Sequence, residues 1–192
     1  MKRLGIYGGS FDPIHHAHLI LAREARETFD LEEVIFVLAA QSPFKNTPTS
    51  ATLRWKMLNI ALDDEPGFSA SRLEIDREEP SYSVETVEVL CRENPGARLF
   101  FLLGEDNLEK LTSWHRFDDL RRMVQFVVLD RSGGRSEYPY PVVRRRIDIS
   151  ATMIRNRVAS GQSIRYLVPE AVEQIIRREK LYQGNNRSNP KI

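Results

Sequence analysis

"RLFFLL" (Arg98–Leu103) and "VQFVVL" (Val124–Leu129) decide the fold of this 192-residue chain. "VIFVL" (Val34–Leu38) reads the same way, and Leu4–Tyr7 begins a shorter run. A strand with one face in water alternates apolar and polar residues, whereas unbroken apolar runs suit strands covered on both faces. Between these runs the spacing turns helical. Ala17–Phe29 sets Leu19, Ile20, Ala22 and Ala25 near one face, and Thr52–Leu62 does so with Leu53, Met57, Ile60 and Ala61. Ser83–Glu93 is a helix with Ser83 as its N-cap and "NPG" as its stop. Phe68–Ile75 contains a further strand, and helices follow from Ala151 and over Pro169–Leu181. Buried strands separated by helices predict an α/β, Rossmann-like, doubly wound and mainly parallel sheet with helices on both faces.

No repeat and no linker divides the chain, so one domain over residues 1–182 is expected, followed by a polar, frayed tail at 183–192. Gly133–Pro141 ("GGRSEYPYP") is the best candidate for a mobile loop over a site. Charge is nearly balanced, 28 Lys and Arg against 27 Asp and Glu. That balance argues against a nucleic-acid partner, and any phosphate recognition must come from a few placed groups. A solvated strand end accounts for Arg144–Arg145–Arg146. The single cysteine, Cys91, falls on a helical pattern with Val84, Val87 and Leu90, as a core thiol would. One cysteine, no apolar run of membrane length and no leader-like start predict a cytoplasmic protein without a membrane partner. No exposed heptad or patch fixes an oligomeric state, which leaves a homo-oligomer open.

"GIYGGSFDPIHHAHL" (Gly5–Leu19) follows the first strand and holds three of the four histidines. In an open parallel sheet, ligands bind beyond the carboxyl ends of strands. The Gly8–Gly9–Ser10 turn sits there, and its glycines allow close backbone approach to an anion. It is neither a dinucleotide fingerprint nor a P-loop. Pro13 leads the chain into a helix whose first turn carries His15 and His18, three apart on one face, with His16 pointing elsewhere. A helix N-terminus attracts anions and repels cations. Zinc would want a third protein ligand, and only the remote His115 and the lone carboxylate Asp12 remain, so no metal site is expected.

Near the other end, "IDISATMIR" (Ile147–Arg155) passes from a strand-like segment into a helix. Ser150 is a natural N-cap, Thr152 lies in the first turn and Arg155 one turn on. Hydroxyls, amides and a guanidinium at a helix start can receive polyphosphate, although an ordinary capped helix would look the same.

"GGSFDPIHHAH" and "ISATMIR" together resemble the nucleotidyltransferase superfamily whose signatures are (H/T)xGH and ISSTxxR. Within it the chain is similar to the bacterial nicotinate-nucleotide adenylyltransferases. "SPFK" (Ser42–Lys45), "PSYSVETVEVL" (Pro80–Leu90), "GEDNLEKLTSWHRFDDL" (Gly104–Leu120) and "VPEAVEQIIRREKLY" (Val168–Tyr182) carry that likeness over nearly the whole chain. The resemblance implies AMP transfer from ATP to nicotinate mononucleotide, with Mg²⁺ held through the ATP phosphates. It implies that Gly8, Gly9, Ser10 and Phe11 form the loop against the nucleotides, and that His15 and His18 meet the reacting phosphates. Lys45 would reach toward phosphate, while Ser150, Thr152 and Arg155 would grip the triphosphate. Thr86 and Trp114 would lie against the nicotinate nucleotide, and Gly104 and Asp106 would border the nucleotide sugars. Ala17 stands where the family has glycine, Phe44 where it commonly has histidine, and Ala151 where it has a second serine. Two alternatives remain open: a nucleotidyltransferase of this fold with a phosphopantetheine or cytidyl acceptor, and a nucleotide-binding sensor without catalysis.

Overall fold

Every pairing in the sheet is parallel, as unbroken apolar runs require. The computed structural model describes residues 1–40, 49–77, 81–132 and 137–184. Its strands are β1 (Arg3–Gly9), β2 (Glu33–Leu38), β3 (Phe68–Ser71), β4 (Arg98–Gly104), β5 (Val124–Asp130) and β6 (Val142–Arg144). They lie in the order β3-β2-β1-β4-β5-β6, the Rossmann-like arrangement. The helices are α1 (His16–Thr28), α2 (Ala51–Leu62), α3 (Ser83–Glu93), α4 (Leu108–Leu111), α5 (Phe117–Met123), α6 (Ala151–Ala159) and α7 (Glu170–Arg178).

Successive side chains of each central strand feed two different cores. Leu4, Ile6, Leu99, Phe101 and Phe126 meet α3, α4 and α5 on one face. Tyr7, Phe36, Phe100, Leu102 and Val127 meet α1, α2, α6 and α7 on the other. A strand buried on both sides has no position for a polar residue, and this explains the runs. Cys91 lies half-buried on α3 against the first of these cores, and burial pushes its thiol up.

Three details depart from the sequence reading. Ser83 is the first helical residue of α3; the N-cap is Tyr82, whose side chain makes no capping hydrogen bond. Helix α7 stops at Arg178 rather than reaching Leu181. Lys180 takes a left-handed φ of 52°. Its N–H donates to the Arg177 carbonyl, and that of Leu181 to Ile176, closing a Schellman motif. Leu181 packs on the core from outside the helix, where such motifs place an apolar residue, and so prolongs the helical periodicity. Ile147–Ser150 is an irregular segment, tied to Arg131 through the Ile147 N–H and the Ile149 carbonyl. Residues 133–136 of the expected mobile loop, and 185–192 of the expected tail, lie outside the described residues.

Candidate active site

Strand order reverses beside β1. The chain builds β2 and β3 on one side, then crosses to lay β4 on the other. The carboxyl ends of β1 and β4 part at such a point and leave a crevice. A cavity of about 470 Å³ opens there. Gly8 and Gly9, expected in the turn, are the last two residues of β1 and pair with Val37 and Leu38; they line the cavity with Ser10 and Phe11 of the turn that follows, and Gly104 and Asp106 line it from the end of β4.

The turn is tight. A Cβ on Gly9 would stand 2.9 Å from the Phe11 ring, so no larger residue fits without moving that ring. Phe11 itself adopts a left-handed φ of 43°. Its ring meets Tyr7 and His18 edge-on, at centroid separations of 5.6 and 5.1 Å.

The first turn of α1 carries His18, its third residue, but not His15, which stands just outside the helix as an N-cap with extended backbone. The rings stack at 3.7 Å, and both line the cavity. The His15 N–H donates to Nδ1 of His18 at 3.3 Å, so Nδ1 is the acceptor and Nε2 carries the proton. His15 is 1% exposed. Burial, then the Arg131 guanidinium and His16, push it down to about 3, which keeps the ring neutral at physiological pH. Nδ1 of His15 has no hydrogen-bond partner among the described residues. His16 turns away, and a hydrogen bond with the Val168 backbone holds it.

The second motif arrives from 143 residues further along. Ser150 caps α6 by accepting from the Met153 N–H at 3.2 Å. Arg155 donates from Nη2 to the Thr152 hydroxyl at 3.1 Å and from Nη1 to the Asp12 carbonyl at 2.8 Å. That second bond fastens α6 to the histidine loop. Ser150, Thr152 and Arg155 line the same cavity as His15 and His18. Two helix N-termini therefore face one space, an arrangement that favours a polyanion. Among the described residues, no group of three or more His, Cys, Asp or Glu side chains could hold a metal ion.

Arg131, Asn107 and Tyr7 also line the cavity; Tyr7 and Asn107 fall within the Gly5–Leu19 and Gly104–Leu120 stretches without a role assigned there, and Arg131 falls in no motif. Arg131 could have been found, because it directly follows β5 at the ligand-binding end of the sheet. Burial pushes the Tyr7 phenol far up, so it stays neutral. Thr86 and Trp114 do not line this cavity. Thr86 is buried, donating to Glu74 Oε1 at 3.1 Å and accepting from Arg77 Nη1 at 3.3 Å. Burial pushes Glu74 up to about 7, against the Thr86 hydrogen bond and Arg77, which favour its charged form. Trp114 packs edge-on against Phe101 at 5.8 Å. Lys45 and Phe44 lie outside the described residues.

Residues 6–157 match the family described as cytidylyltransferase-like. The nicotinate-nucleotide adenylyltransferase of Bacillus subtilis is 36% identical, over 96% of this chain and all of that one. The Thermus thermophilus protein named "Probable nicotinate-nucleotide adenylyltransferase" is 40% identical, over 94% of this chain and 100% of that protein. Among solved structures, Plasmodium falciparum nicotinic acid mononucleotide adenylyltransferase complexed with NaAD superposes with a TM-score of 0.81. It shares 20% identity over 95% of this chain and 98% of its own, a likeness of fold.

Proposed function

The chain belongs to the nicotinate-nucleotide adenylyltransferases within the cytidylyltransferase-like family, and we propose that it transfers AMP from ATP to nicotinate mononucleotide. The products are nicotinate adenine dinucleotide and pyrophosphate, a step of NAD biosynthesis. A phosphate oxygen of the mononucleotide bonds to the α-phosphorus as the bond to the bridging oxygen breaks, and pyrophosphate leaves with that electron pair. The nucleophile is a phosphate monoester with a second pKa of about 6, already largely dianionic at neutral pH, so no general base is required. The work lies in aligning two polyanions and meeting charge on the leaving group.

In this reading His18 donates through Nε2–H to the reacting phosphates, and neutral His15 lies stacked beside it. Arg155 neutralises the triphosphate beside Ser150 and Thr152, and Lys45 is assigned to the same anion. Gly8, Gly9, Ser10 and Phe11 offer backbone to the nucleotide, with Gly104 and Asp106 near its sugars. Thr86 and Trp114 are assigned to the nicotinate end. Mg²⁺ enters with ATP as part of the substrate, where it draws charge from the phosphate oxygens. The described residues reach no transmembrane helix, and we place the enzyme in the cytoplasm, where a single cysteine stays reduced.

The observation that carries this reading is the Arg155–Asp12 bond, which joins the two distant motifs across one cavity. Pyrophosphate release with ATP, Mg²⁺ and a panel of phosphomonoesters tests it. Nicotinate mononucleotide should react fastest, ahead of nicotinamide mononucleotide. Faster turnover of phosphopantetheine, or ATP binding without any pyrophosphate, would overturn it.

A further inference from the structure

Arg54 is a charged side chain of α2 with 1% of its surface exposed, and it does not line the cavity. Its guanidinium donates to main-chain carbonyls drawn from separate loops. Nε bonds Thr49 at 3.1 Å, and Nη1 bonds Ser10 at 2.9 Å and Ala39 at 2.8 Å. Nη2 bonds Ala40 at 2.7 Å. The Ala39 N–H in turn donates to the Gly9 carbonyl at 2.9 Å, so the turn after β1 and the exit of β2 are laced together at one point. Burying a cation carries a desolvation cost that a methionine of similar size would avoid. What the guanidinium alone supplies is a rigid, planar fork of donors aimed in fixed directions.

One of those directions bears on the histidines. The Ser10 carbonyl and the Phe11 N–H belong to the same rigid peptide plane, and they point in opposite directions. Fixing the carbonyl on Arg54 fixes that plane and the Phe11 Cα that lies in it, the frame about which the φ of Phe11 turns. That angle, 43°, is one a residue with a side chain adopts only when its surroundings impose it. The Phe11 ring then stands edge-on to His18, which stacks on His15. Asp12, next in the chain, adds an electrostatic attraction to Arg54, and its carboxylate accepts from the Tyr182 hydroxyl.

We propose that Arg54 is a positioning residue for phosphoryl transfer: its hold on the Ser10, Ala39 and Ala40 carbonyls sets the Ser10–Phe11 peptide and, through the Phe11 ring, the place of His18. The kinetic part of this proposal rests on the adenylyltransferase reading. Misplacing a reacting group by an ångström costs about a hundredfold in rate.

The test compares Arg54→Lys and Arg54→Met with the parent enzyme. Arg54→Lys should fold and lose about a hundredfold in kcat, with KM for ATP changed less than about threefold. Arg54→Met should lose more, because an ammonium still holds some of the carbonyls and a thioether holds none. In nuclear magnetic resonance spectra of unliganded Arg54→Lys, the Phe11 amide and the His18 imidazole should shift while the amides of α3 stay put. A kcat within about twofold of the parent in both variants overturns the proposal. So do unmoved Phe11 and His18 signals, and so does failure of both variants to fold, which assigns Arg54 to stability alone. If the parent releases no pyrophosphate, the adenylyltransferase reading fails, and the spectra still decide whether Arg54 positions Phe11 and His18.

Discussion

At the scale of single residues, the histidines separate by environment rather than by type. His15 is held neutral, its proton affinity pushed down to about 3 by burial first and by Arg131 and His16 after it. The unfolded chain takes up that proton near pH 6.5, and the folded chain resists it. Stability is therefore complete above about pH 6.5 and drains away as pH falls toward 3. Between pH 7 and pH 5 this one group should cost about 2 kcal/mol. Urea unfolding at the two pH values measures the loss, and His15→Asn should abolish that share of it. His18→Ala should lower kcat by about 10²–10³ with the circular dichroism unchanged, since it removes a phosphate donor and leaves the core intact. His16→Gln should stay within about twofold of the parent in the same pyrophosphate assay, because its side chain faces away from the cavity. The histidine pair was legible because spacing on a helix is a sequence property. Arg131 belongs to no motif, and only its place directly after the Val124–Leu129 run marks it.

Among elements, the start of α6 joins folding to the site most directly. Ser150 accepts the Met153 N–H, and the first turn it holds carries Thr152 and then Arg155. Ser150→Ala should destabilise the protein by about 1 kcal/mol, read as a lowered midpoint in chemical denaturation. The same variant should raise KM for ATP more than it lowers kcat, since a frayed first turn loosens a phosphate grip. Ser150 was readable as a cap because the hydroxyl stands directly before a helical pattern. Ser83 looked equally suitable, yet the chain begins α3 one residue earlier and leaves Tyr82 in the capping position. The end of α7 escaped for another reason. Leu181 keeps the apolar spacing going, and only the left-handed φ at Lys180 shows that the helix has already closed.

For the molecule as a whole, the sheet is a partition between two cores, and one aromatic cluster ties the cavity-lining Tyr7 and Phe11 to one of them. Phe36 is fully buried and lies 5.4 Å from Tyr7, 5.6 Å from Phe11 and 5.2 Å from Phe68, ring centre to ring centre. Phe36→Ala should cost about 3–5 kcal/mol. It should also lower kcat, because Phe11 loses the ring that supports it. We expect a single cooperative unfolding transition by calorimetry and by circular dichroism, because both cores draw on the strands of the same sheet. A parallel sheet could be read from the unbroken runs, whereas the strand order could not. Which side of β1 the fourth strand joins depends on packing between helices distant in sequence, and β6, with Val143 as its one buried residue, is too short to announce itself.

The Tyr182 hydroxyl donates to Asp12 Oδ1 at 2.5 Å, across 170 residues. Asp12 is thereby a knot between distant stretches of sequence: Tyr182 holds its carboxylate and Arg155 its carbonyl, so the loop that carries His15 is pinned from two helices' worth of chain that its own neighbourhood does not contain.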